Sequence, residues 1–233
     1  MAFNLLIDFD NLSTSDLTRG LIYIVENILS KLSISDVNDK NVKARLYGGW
    51  YENNNITRRA QDLKSDLIRD FPRPCLLSDG KTSVIVNAEL ATSLTINPSI
   101  LLANTYRRGG IPSGLKAYHP IKNGCQRVTC PILHVYNFVL SGVCGECHTA
   151  TVDDIFYRSE QKLVDTMLTS DMILIAQQEK RFCIVSSDDD FWPGILTSIT
   201  IGGTVYHFQT QSGRSTPSHY SSTVSQNYYT KNL

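Results

Sequence analysis

Three short segments of this chain each end or carry an apolar run with carboxylates. LLIDFDN sets Asp8, Asp10 and Asn11 behind Leu5–Ile7, KLVDTMLTSDM carries Asp165 with Asp171 six residues later, and IVSSDDDF places Asp188, Asp189 and Asp190 after Ile184 and Val185. An all-oxygen acidic cluster with no histidine beside it suits Mg²⁺ or Mn²⁺ better than Zn²⁺. Like charges a few ångströms apart raise one another's pKa, and a divalent cation is the usual way in which several stay ionised. Such a cluster can activate water and neutralise the charge that develops on a phosphodiester. Any one of these aspartates can equally be a helix cap or a turn former; Asp189 and Asp190 stand where they can cap the helix that Trp192 and Pro193 begin.

A second constellation is sulfur-based. Cys125-x4-Cys130 and Cys144-x2-Cys147 are separated by 13 residues. That spacing resembles two knuckles of a ribbon-like structural Zn²⁺ site, each turn supplying two corners of a tetrahedron, with Gly124, Gly142 and Gly145 for tight backbone. His134 or His148 can stand in for one ligand. Two disulfides or unbound thiols are the alternatives; Cys75 and Cys183, in strand-like contexts, read as plain core residues.

Around these cysteines, Leu90 to Gly145 contains no Asp or Glu but includes Arg107, Arg108, Lys116, Lys122 and Arg127, with Tyr106, Tyr118 and His119 among them. Cations can meet phosphates while the rings stack on unpaired bases. The competing interpretation is a solvated face. Lys162, three residues before Asp165, can meet a phosphate or neutralise the carboxylates; Arg58 and Arg59 raise the same choice, and Trp50 and Tyr51 are either base-stacking surface or core.

The elements that must position these groups follow from periodicity. Phe3–Ile7 reads as a buried strand, and Leu17–Leu32 as a helix with apolar residues at helical spacing. Val42–Trp50 is a second strand, Thr57–Phe71 a helix stopped by Pro72 and Pro74, and Ser83–Val86 a third strand. After an irregular interval come a helix over Ser159–Gln177, a strand at Phe182–Val185, a helix starting at Pro193 and a last strand at Thr204–Phe208. Strands alternating with helices predict an α/β fold with a mostly parallel sheet flanked by helices, whose sites form at the carboxyl ends of strands. Asp8 and Asp188 can then converge although 180 residues separate them. The expected organisation is a core of residues 1–88 and 154–210, an inserted subdomain at 89–153, and a flexible Ser/Thr/Asn-rich tail at 211–233.

In order and spacing, LLIDFDN, KLVDTMLTSDM and IVSSDDDFWPGI resemble the strand-Asp-x-x-Asn, Lys-x-x-Asp and Ser-Gly-Asp-x-Asp-Phe motifs of the NYN family, a branch of the PIN-like nucleases. The resemblance covers about 150 residues and leaves the cysteine segment outside. It implies a PIN-like, Rossmann-like fold and metal-dependent ribonuclease activity, while the zinc-ribbon-like insertion rests on the cysteine spacing alone. The implied site is Asp8, Asn11, Asp165, Asp188 and Asp190, with the four aspartates holding Mg²⁺ or Mn²⁺. Ser187 stands where the family usually has glycine, and Asp189 adds a charge. IDFDN also resembles the Asp-x-Asp opening of haloacid-dehalogenase-type phosphatases, with Asp8 as nucleophile and Asp10 as general acid, though Leu12 departs from that pattern. A non-catalytic RNA-binding module is the alternative from a different class.

The totals set bounds on these readings. With 22 basic and 22 acidic residues and 42% apolar residues in 233, the chain reads as an ordinary globular protein, not a generally basic nucleic-acid binder. Phe3–Ile7 is broken by Asp8 and lacks a signal peptide's basic opening, and no apolar stretch approaches the roughly 20 residues of a membrane span. The expectation is a cytoplasmic protein with reduced thiols, acting on RNA and not on a membrane.

Overall fold

The computed structural model describes residues 2–103, 105–109, 118–119, 127, 129–161, 163–211 and 227–233. The chain forms two compact units, Met1–Thr105 with Gln161–Leu233, and Tyr106–Glu160.

In the first unit, β1 (Phe3–Asp8) is buried at every position, as a strand with both faces covered must be. It leads to α1 (Thr14–Arg19), α2 (Leu21–Leu29) and α3 (Ile34–Val37), then to β2 (Asn41–Tyr47). The single helix expected over Leu17–Leu32 is divided because Gly20, at φ 86°, takes a backbone conformation that L side chains resist. A short antiparallel pair, β3 (Tyr51–Glu52) and β4 (Asn55–Ile56), precedes α4 (Arg58–Asp70). Thr57 starts α4 by accepting the Ala60 N–H. Next come β5 (Arg73–Leu76), which the sequence pattern did not reveal, and β6 (Ser83–Leu90). Pro74 is tolerated in β5 because that strand lies at the sheet's edge.

The second unit holds β7 (Tyr106–Gly109), α5 (Pro131–Ser141), α6 (Val152–Ile155) and most of β8 (Arg158–Gln161). The chain then enters α7 (Val164–Gln178), β9 (Arg181–Val185), α8 (Trp192–Thr200), β10 (Thr204–Gln209) and β11 (Tyr228–Asn232). The helix expected from Ser159 therefore begins five residues later. Leu163, inside the expected span, is exposed and turns the chain at φ 68°.

The main sheet has seven strands in the order β11-β10-β9-β1-β2-β6-β5, parallel except for the β5–β6 pair. On one face, Ile24, Val25 and Ile28 of α2 and Leu63 and Leu67 of α4 pack on Leu5, Ile7, Ala44 and Val185. On the other, Leu168 and Met172 of α7 and Ile195 of α8 pack on Leu6, Ile184 and Val205. Among the described residues, no helix is long and apolar enough to cross a membrane.

Two expected boundaries move. The insertion, expected at 89–153, corresponds to Tyr106–Glu160. Residues 91–105 stay with the core through hydrogen bonds from Ala91 N to the Leu46 carbonyl (2.8 Å), from Arg45 Nη2 to the Ser93 carbonyl (2.7 Å) and from Thr95 N to Asp171 Oδ1 (2.7 Å). The flexible tail expected at 211–233 ends instead in β11, paired in parallel with β10 from Val205–Tyr228 to Gln209–Asn232. Residues 212–226 lie outside the described residues.

Candidate active site

The carboxyl ends of β1 and β9 are adjacent, and the chain leaves them towards opposite faces, through α2 and through α8. In open α/β sheets that divergence creates the crevice where ligands bind. Ile7 is in register with Val185, so Asp8 and Ser186 come next. Leu6 and Ile184 contact α7 and α8, and two residues further on Asp8 and Ser186 share their face.

Ser186 Oγ donates to Asp8 Oδ2 at 2.7 Å and accepts the Asp188 N–H at 3.0 Å. One hydroxyl thereby fastens the first acidic segment to the last. Burial, followed by the charges of Asp165, Asp10 and Asp188, raises the Asp8 pKa to about 7 against the lowering effect of the Ser186 bond. Asp165, in the first turn of α7, is also raised, by partial burial and then by Asp188, Asp190 and Asp10. The three segments therefore converge electrostatically. Asp188 caps its own turn as well, its Oδ1 accepting the Asp190 N–H at 3.0 Å.

Asn11 ties three strand ends together. Its Oδ1 accepts the Ser187 N–H (2.9 Å) and the Thr210 hydroxyl (2.6 Å). Ser187, where a glycine was the family expectation, is buried; its hydroxyl donates to Gln209 Oε1 (3.1 Å) and accepts from Thr210 N (2.8 Å). Behind them lies His207, held neutral by burial with its pKa down to about 4. Its Nε2 is 2.8 Å from the Ser186 carbonyl, which only accepts, so Nε2 carries the proton and Nδ1 accepts from the Tyr228 hydroxyl at 2.8 Å. Ser186, His207, Gln209 and Thr210 were not singled out from sequence, and Ser187 was noted there only as a departure from glycine. The alternation of His207 and Gln209 in TVYHFQ was the available signal, a polar pair on one face of a buried strand.

Asp171 is not at this edge. It is 1% exposed and takes hydrogen bonds from Tyr47 (2.8 Å) and Thr95 N (2.7 Å), with Arg45 Nη2 at 3.5 Å. Asp10 is also engaged: Oδ2 accepts Gly49 N (2.9 Å) and Oδ1 pairs with Arg59. Trp50 is fully buried, and Tyr51 borders a cleft of about 390 Å³ with Lys64, Ile68, Phe71 and Glu89, whose lining includes none of Asp8, Asp165, Asp188 and Asp190.

The carboxylates fit a divalent cation in donor type and in mutual repulsion. Among the described residues, however, no three His, Cys, Asp or Glu side chains are grouped closely enough to hold a metal ion. In the second unit, Cys144 and Cys147 share one tight turn: Cys144 N bonds the Ala150 carbonyl (2.8 Å) and Ala150 N donates to Cys147 Sγ (3.4 Å). The Thr149 hydroxyl, the Ala150 and Thr149 N–H groups and the Cys144 thiol bring the Cys147 pKa down to about 6. Cys130 is half-buried just ahead of α5, and none of Cys130, Cys144 and Cys147 is in a disulfide. Cys125, Lys116, Lys122 and Lys162 lie outside the described residues; Arg107 and Arg108 are in β7, and Arg127 is exposed.

No family model matches the chain, and no curated protein and no solved structure matches it.

Proposed function

We propose that this chain is a metal-dependent ribonuclease of the PIN-like kind, as its motifs' resemblance to the NYN family suggests. The observation that carries the reading is the junction of Asp8 and Asp188 through Ser186 at the β1/β9 edge, with Asp165 close enough for its charge to raise the proton affinity of Asp8. Asp8, Asp165, Asp188 and Asp190 would hold Mg²⁺ or Mn²⁺. When bound, the cation supplies Lewis acidity and a water of lowered pKa for attack on phosphorus. Asn11 and Ser187 keep the ends of β1, β9 and β10 in register, and Ser186 orients Asp8.

The second unit is the proposed structural Zn²⁺ module, using Cys125, Cys130, Cys144 and Cys147. Among its described residues Val152 is the buried apolar side chain, and a bound Zn²⁺ would add a staple beside it. Arg107, Arg108, Lys116, Lys122 and Arg127, with Lys162 beyond the unit, would contribute phosphate contacts to a single-stranded or structured RNA. Reduced thiols suit a cytoplasmic setting.

The test is cleavage of a labelled single-stranded RNA in Mn²⁺ or Mg²⁺ against EDTA, by the wild type and by Asp188→Asn. Cleavage that needs the metal and falls at least about 100-fold in the variant is expected. Mn²⁺ should also raise the wild-type melting temperature at pH 8 more than that of Asp188→Asn. Equal cleavage by both proteins removes the assigned site, and RNA binding without cleavage in any metal turns the reading towards a binding module.

A further inference from the structure

Arg59 stands at the acidic edge without belonging to the proposed metal set. Its guanidinium lies over the ring of Phe9 at 4.9 Å and near that of Trp50 at 6.0 Å, and pairs with Asp10 Oδ1. Gly49 N holds the other Asp10 oxygen at 2.9 Å. A side chain at Gly48 would meet the Trp50 ring at 2.8 Å and Asp10 Oδ2 at 3.0 Å, so this clamp depends on glycine there. The arginine side chain is nonetheless 48% exposed, whereas Asp10 is 11% exposed. Its neighbour Arg58 differs: it is 85% exposed and pairs with Asp62 along the surface of α4.

We propose that Arg59 is a substrate-binding residue that takes an RNA phosphodiester at the mouth of the acidic site, and that Asp10 is the positioning residue that aims it. This rests on the ribonuclease reading. A cluster of aspartates repels a polyanion, and productive approach needs a fixed cation at its rim. Arginine suits that task because a guanidinium has five donors in a planar fork, so the Asp10 contact and the ring stacking leave donors for phosphate oxygens. Pinning by Asp10 also keeps the cation from collapsing onto Asp8 or Asp188, whose charges the catalytic metal requires. Asp10 lies in the Phe9–Asn11 turn, two residues past Asp8 at the carboxyl end of β1, which places the pair beside the site.

The experiment compares wild type, Arg59→Ala, Arg59→Gln, Arg59→Lys and Asp10→Asn, each checked for a cooperative melt. It measures Mn²⁺-dependent cleavage and, in Ca²⁺, fluorescence-anisotropy binding of the same RNA across salt concentrations. Arg59→Ala and Arg59→Gln should raise KM and Kd about tenfold, with kcat changed less, and should lower the slope of log affinity against log salt by about one. Arg59→Lys should recover part of the affinity, and Asp10→Asn should lose less than Arg59→Ala because the rings still hold the guanidinium. A loss in a variant that melts as the wild type does is not a folding defect. If both neutral variants keep wild-type KM and salt slope while the wild type cleaves, or lose kcat alone, the assignment to Arg59 is overturned and the nuclease reading stands. A wild type that neither binds nor cleaves RNA overturns both.

Discussion

Asp8 carries the most legible electrostatic signature in the molecule. Folded, its carboxyl keeps a proton up to about pH 7; unfolded, it loses it near the model-peptide value of 3.8. Between those limits the folded chain binds more protons than the unfolded one, so stability falls as pH rises through the window and stays lowered above it. The full effect is at most roughly 4 kcal/mol. In EDTA, the wild-type melting temperature should therefore drop between pH 5 and pH 8, and Asp8→Asn should flatten much of that drop and exceed the wild type at pH 8. A variant that melts below the wild type at pH 8 would mean that the Asp8 charge is already compensated. The same residue shows how a site can be costly to build before it is filled. Its burial and like-charged neighbours disfavour the ionised form, and a bound divalent cation reverses that preference.

At the scale of elements, α7 is held against β2 by a buried ionic contact rather than by apolar packing alone. Arg45 and Asp171 are 4% and 1% exposed at their side chains, Arg45 Nη1 also reaches Glu89 at 2.9 Å, and Tyr47 donates to Asp171. Replacing Arg45 with Met leaves a buried carboxylate without its cation and should cost about 3–5 kcal/mol in urea unfolding. Arg45→Met with Asp171→Leu should recover most of it, which a role for Asp171 in metal binding would not allow without a matching loss of cleavage. This contact also marks where sequence reading stops. Strand β1, the apolar faces of α2 and α4, and the Asp8–Asp188 meeting were readable because burial imposes period on sequence and parallel sheets gather strand ends. Asp171 looked like a partner of Asp165 because the two share a helix, yet six residues turn it to another side, where Arg45 waits. Residues 91–95 were invisible because hydrogen bonds to the Leu46 carbonyl, Arg45 and Asp171 hold them, and β5 because its ladder with β6 holds it; such bonds impose no hydropathy pattern.

For the molecule as a whole, the last strand decides how well the first unit closes. Without β11 the outer edge of β10 would be an unpaired strand edge, open to solvent and to other chains. The strand also reaches several distant elements at once: Tyr229 stacks on Tyr206 at 5.2 Å, Tyr228 sits 5.4 Å from Trp192, and Lys31 Nζ donates to the Asn232 carbonyl at 2.8 Å. Leu233 packs against the core, and Lys231 donates to the Lys31 carbonyl. Through Tyr228 the strand is joined to the site, because the Tyr228 hydroxyl fixes His207, His207 holds the Ser186 carbonyl, and the Ser186 hydroxyl holds Asp8. Ending the chain at Gln211 should thus lower stability by on the order of 3 kcal/mol or more and promote self-association, seen as an earlier urea midpoint and a larger sedimentation coefficient. Tyr228→Phe isolates the polar part of the link: it keeps the ring on Trp192 and removes one donor to a buried nitrogen, for a cost of about 1 kcal/mol. If the chain of bonds to Asp8 carries to function, Tyr228→Phe should also reduce RNA cleavage at fixed Mn²⁺ while RNA affinity in Ca²⁺ stays unchanged. Unaltered cleavage in a protein of measurably lower stability would confine β11 to closing the sheet.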